Sequence, residues 1–72
     1  MASDGLLTVS LNGREREVRA GSSLADLVAT VASEARAIAV EVNGEIVPRR
    51  LLGETPLSAG DRVEIVQFVQ GG

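Results

Sequence analysis

Hydrophobic and polar positions alternate from Leu6 to Leu11 (LLTVSL), with Leu7, Val9 and Leu11 on one face. That period of two predicts a half-buried strand. Asn12-Gly13 follows, and a two-residue type I′ hairpin turn needs positive φ at both central positions, which this pair tolerates well. The return segment REREVR has Val18 as its one strong core candidate. Its charges suit an edge strand that must avoid pairing with other chains.

From Leu24 the period changes. Leu24, Leu27, Val28 and Val31 stand at i, i+3, i+4 and i+7, which is one stripe of a helix. Ser23 is a good N-cap, and Asp26, three residues on, makes a capping box with a shorter acid than usual. Asp26 also places negative charge in the first turn, where the helix dipole favours it.

Period two returns with Ile38, Val40 and Val42 on one side and Ala39 and Glu41 on the other. Asn43-Gly44 is a second turn signal, and Ile46-Val47 reads as a short strand stopped by Pro48. RRLLGETPLSAGD reads as irregular, held by Leu51, Leu52 and Leu57, with Asp61 fixing the turn before a last strand from Arg62 to Val69.

The predicted order is strand, strand, helix, strand, short strand, loop, strand. A lone amphipathic helix must cover the apolar face of a sheet. The expected fold is therefore α+β, a β-grasp: a mixed sheet of four to five strands with one helix packed on one face. Its first and last strands would be parallel central neighbours, as the helical crossover permits. A chain of 72 residues leaves no room for a second core. Residues 1–70 are read as the domain and 71–72 as a flexible Gly-Gly tail.

Composition narrows the chemistry. Hydrophobic residues make up 44% of the chain, with one Phe and no Trp or Tyr, so the core must be aliphatic. There is no Cys and no His, and all seven basic residues are Arg. Thiolate nucleophiles, Cys-based metal sites, imidazole proton transfer and Schiff-base chemistry are thereby absent from this chain. The expectation is a protein that is not itself an enzyme and binds neither metal nor cofactor.

A net charge of −3 disfavours general nucleic-acid binding and favours a partner with a basic docking surface. The start MASDGLLTVSL has no basic n-region, and no apolar run reaches the length of a membrane span. The expected address is cytoplasmic.

The ending RVEIVQFVQGG carries the candidate chemistry. Two glycines set the final carboxylate of Gly72 on a thin stalk. An α-carboxyl ionises at roughly pH 3.3–3.7, so it is a ready oxygen nucleophile at neutral pH. Gly71 and Gly72 have no Cβ, so the backbone can pass closely between walls and take φ values closed to other residues.

Val63 and Ile65 are expected to face the helix, with Glu64, Val66 and Phe68 opposite. Phe68 admits two readings: a bulge returns it to the core, or it forms an exposed docking patch with Val66. The need for a gripped surface behind the tail favours docking. Arg49 and Arg50 are candidates for contact with an acidic partner or a phosphate, or simply a solvated loop. Glu41, Glu45, Glu54 and Glu64 would complement a basic groove, though a charged surface is ordinary.

The hairpin turn at Asn12-Gly13, then GSSLADLV, VEVNGEIVPR and LSAGDRVEIVQFVQGG together resemble the ThiS family of thiamine sulfur carriers, which have the ubiquitin-like β-grasp fold. The resemblance covers the chain from about Leu7 to Gly72. It implies that an E1-like adenylating enzyme uses ATP to adenylate the Gly72 carboxylate. Sulfur from a cysteine persulfide, supplied by a cysteine desulfurase, would then convert Gly72 to a thiocarboxylate for a thiazole synthase.

Sister carriers share the activation chemistry and differ in acceptor. They include the small subunit of molybdopterin synthase and carriers for tRNA thiolation or cysteine synthesis. The short span from Val31 to Ile38 favours the thiamine carrier over the first. A ubiquitin-like protein modifier and an inert adaptor whose glycines are a frayed end are the remaining alternatives.

Overall fold

The computed structural model describes residues 5–31 and 37–68, and at residues 37, 38, 67 and 68 it describes the backbone alone. Strand β1 (Leu6–Leu11) realises the first alternation: Val9 and Leu11 are buried and Leu7 half-buried. Asn12 and Gly13 take φ of 51° and 87°, as a type I′ turn requires. Strand β2 (Arg14–Arg19) then pairs back antiparallel, from Leu11↔Arg14 to Leu6↔Arg19. Val18 packs half-buried against the core, and the charged β2 is an edge strand.

Helix α1 (Leu24–Val31) starts with the capping box that its sequence implies. The Ser23 N–H donates to Asp26 Oδ2 at 2.9 Å, and the Asp26 N–H donates to Ser23 Oγ at 3.2 Å. An aspartate is long enough to close the box. Leu24, Leu27 and Val28 are buried; each such side chain contributes about 1.5–3 kcal/mol by leaving water. Val31, the last helical residue described, departs from the expected buried stripe at 36% exposed.

Strands β3 (Ala37–Val42) and β4 (Glu45–Ile46) form the second hairpin, around Asn43 and Gly44 at φ 54° and 89°. The pairing begins one residue earlier than the sequence suggests, at Val42↔Glu45, and the Val47 N–H still donates to the Val40 carbonyl at 2.9 Å. Pro48 then ends it.

The next segment is not irregular. Residues Arg49–Glu54 form a 3₁₀ helix, with the Leu51 N–H bonded to the Pro48 carbonyl at 2.8 Å. Leu52 is buried on it, whereas Leu51 is 36% exposed. Beyond it, Leu57 is buried, and this stretch lies along the entry to α1. The Leu24 N–H reaches the Thr55 carbonyl at 2.7 Å, and the Leu57 N–H the Ser22 carbonyl at 3.0 Å.

Strand β5 (Arg62–Phe68) completes a five-stranded sheet of order β2-β1-β5-β3-β4. It runs parallel to β1 and antiparallel to β3, so the first and last strands are the central parallel neighbours of a mixed β-grasp sheet. The core is aliphatic, with Leu24, Val9, Val40 and Val63 the most deeply buried large side chains. No helix of the described residues is long and apolar enough to cross a membrane.

Candidate functional site at the exit of the last strand

Strand β5 alternates as its sequence predicts. Val63 and Ile65 are buried under α1, while Glu64 is exposed and Val66 is 50% exposed. Val66 lies opposite half-buried Ala39 on β3, and Glu64 opposite Glu41. The helix-free face of the sheet thus carries an apolar spot at Val66 flanked by a pair of acids.

Pairing with β3 is uninterrupted from Val42↔Val63 to Ala37↔Phe68, so no bulge shifts the phase of β5 within that span. The Phe68 side chain lies outside the described residues, as do Gly71 and Gly72. Arg49 and Arg50 are exposed, as expected, but on the 3₁₀ helix rather than a loop. Their element follows edge strand β4 in the chain and packs against α1, on the opposite side of the sheet from Val66.

Two side chains that the sequence marks only as turn residues hold β5 in place. At φ 51° Asn12 swings its backbone carbonyl out of the β1 ladder, and its carboxamide replaces the missing group. Asn12 Oδ1 accepts the Ile65 N–H at 2.8 Å, and Nδ2 donates to the Ile65 carbonyl at 3.3 Å. Asn43 does the same on the other side, with Oδ1 accepting the Arg62 N–H at 2.9 Å. Its Nδ2 donates to Asp61 Oδ1 at 3.1 Å, while Asp61 Oδ2 accepts the Ser58 N–H at 2.8 Å. Asp61 therefore fixes the turn into β5, the role its position suggests.

Among the described residues no polar or charged residue is buried, and no group of three or more Asp or Glu is placed to hold a metal. What the site offers is a strand, gripped on both flanks near its start, that leads towards residues 69–72 beside a solvent-facing patch.

Known proteins resemble the chain over most of its length. The ThiS family model matches residues 9–72. A thiazole synthase of Paramagnetospirillum magneticum is 37% identical over 86% of this chain, and one of Magnetococcus marinus is 32% identical over 92%. The chain spans only about a fifth of the length of either relative. The crystal structure of a thiamine biosynthesis protein (ThiS) from Geobacter metallireducens superposes with a TM-score of 0.76 at 28% identity, covering 92% of this chain and 100% of that one. With its strand order, its two Asn-Gly turns and a family match that runs through its last residue, the chain belongs to the ThiS family.

Proposed function

We propose that this protein is a sulfur carrier of thiamine biosynthesis whose working group is the carboxylate of Gly72. The observation that carries this reading is the family match through residue 72, which takes in both glycines at the end of β5's continuation. The curated relatives named thiazole synthase support delivery of the sulfur to a thiazole synthase rather than to a sister acceptor.

The chemistry follows from what a carboxylate lacks. It is a poor electrophile, so an adenylating partner must first convert it. A Gly72 oxygen attacks the α-phosphorus of ATP and expels pyrophosphate, which leaves an acyl adenylate. The terminal sulfur of a cysteine persulfide then attacks the Gly72 carbonyl and expels AMP. A thiol cleaves the resulting acyl disulfide, giving the Gly72 thiocarboxylate and a new disulfide. This chain's part is presentation: two final glycines without Cβ atoms, carried by the chain that follows the central strand of a sheet. The exposed Val66, with the acids Glu41 and Glu64 beside it, supplies a surface for a partner with a basic rim.

The test is the intact mass of the protein before and after incubation with ATP, an adenylating enzyme of the family and a persulfide donor. The expected gain is the exchange of one oxygen for one sulfur, mapped to the C-terminal peptide. No gain, with the same partners active on a known carrier, would remove the reading. Higher-mass conjugates to lysines would point to a protein modifier instead.

A further inference from the structure

We propose that Asn12 is the positioning residue that holds the base of the strand leading to the reactive tail, setting where β5 passes from two flanking strands to one, an inference that rests on the carrier reading above. In a parallel pair, each residue of one strand bonds to the two residues flanking its partner. β1 follows this rule through the Ser10 N–H to the Asp61 carbonyl and the Asn12 N–H to the Val63 carbonyl, both at 2.9 Å. The next acceptor for the Ile65 N–H should be the Asn12 carbonyl, but the left-handed turn conformation has taken it away.

The Asn12 carboxamide restores that rung. It carries one acceptor and one donor in the geometry of a peptide group, and it meets both the N–H and the carbonyl of Ile65. The β1 side of β5 is thus held through Ile65 and no further, because the chain turns back at Gly13 into β2. Past Ile65, only β3 flanks β5 among the described residues, through Ala37↔Phe68. One side chain therefore defines the last doubly held residue of the strand that leads to Gly72.

From Ile65 to Gly72 is seven residues, so the fully extended tail reaches roughly 23 Å from this anchor. Loss of the anchor leaves Ile65 held by β3 alone, so the singly flanked part of β5 begins earlier and its freer backbone must be fixed again whenever the tail enters an adenylating site. Few side chains replace Asn here. Aspartate keeps the acceptor but sets a carboxylate oxygen against the Ile65 carbonyl, serine is too short, and β-branched residues resist a φ of 51°.

Asn43 provides the internal control. It uses the same device to hold Arg62, at the start of β5 and away from the tail. Glycine at either position accepts the positive φ without strain, so each Asn→Gly variant removes only the carboxamide. The experiment compares wild type, Asn12→Gly and Asn43→Gly, well below their melting temperatures, as substrates of the adenylating enzyme. Amide exchange at Ile65 is followed in parallel.

The expected result is a KM about threefold to tenfold higher for Asn12→Gly, the cost of fixing again the backbone freedom that Ile65 gains when one flank is lost, with kcat unchanged and faster exchange at Ile65. Asn43→Gly is expected to melt earlier yet keep the wild-type KM. An unchanged KM in Asn12→Gly, or equal rises in both variants, would overturn the positioning role while leaving the carrier reading intact. A wild-type protein that is not adenylated would instead overturn the carrier reading, and this inference with it.

Discussion

Glu41 and Glu64 stand directly opposite each other across the β3–β5 pair, on the face of the sheet that the helix leaves open. Like charges placed so cost a few tenths to about 1 kcal/mol, and a sheet shaped for stability alone has no reason to keep them. Their neighbour along β5 is the exposed Val66. Glu64→Gln should therefore raise the melting temperature by about 2–6 °C. The same substitution should slow association with a basic-surfaced adenylating enzyme, most clearly at low salt. A lower melting temperature would mean that Glu64 makes a stabilising contact instead.

Val66 is half exposed, so burial contributes little of its part in the fold. Val66→Gln should leave thermal unfolding within about 1 kcal/mol of wild type and weaken binding to the adenylating partner by about tenfold or more. Calorimetric titration beside a thermal melt checks both, and wild-type affinity would take Val66 out of the docking surface.

The reciprocal Ser23–Asp26 pair makes its own prediction. Ser23→Ala and Asp26→Ala should each destabilise the domain by about 1 kcal/mol. Because the two substitutions open the same box, the double variant should lose less than the sum of the singles. Additive losses, read from chemical denaturation, would show that the two bonds act independently.

Leu24 has no exposed surface and sits where α1, the 55–57 stretch and the sheet meet. Leu24→Ala should cost about 2–5 kcal/mol, a large share of the stability of so small a domain. Circular dichroism at 37 °C should show a substantially unfolded population. A melting temperature close to wild type would place the centre of the core elsewhere.

Removal of Gly72 tests the tail from the other side. The shortened protein should melt as the full chain does, since the core residues among those described all lie between Val9 and Ile65, and should show no mass gain with ATP, adenylating enzyme and persulfide donor. A marked fall in melting temperature would make the ending a structural element.

Most of this architecture was legible in the sequence because it depends on neighbours close in the chain. Alternation at Leu7, Val9 and Leu11, the stripe of Leu24, Leu27 and Val28, the Ser23–Asp26 box and both Asn-Gly turns are local preferences of backbone and side chain. Pattern also placed Val63 and Ile65 inside and Val66 outside. The 3₁₀ helix at Arg49–Glu54 escaped it, because so short a helix, with only Leu52 buried, leaves no periodic stripe to read.

What the sequence by itself determined is the set of elements, their order, the aliphatic core and the glycine ending that carries the candidate chemistry. Only the tertiary structure decided what those elements do to one another across the sheet. Asn12 meets Ile65 from 53 residues away, and Asn43 meets Arg62 from 19. Glu41 faces Glu64 only in the one register that pairs Val42 with Val63. Such contacts are set by strand order and register, which follow from burying one apolar face under one helix. No run of adjacent residues records them.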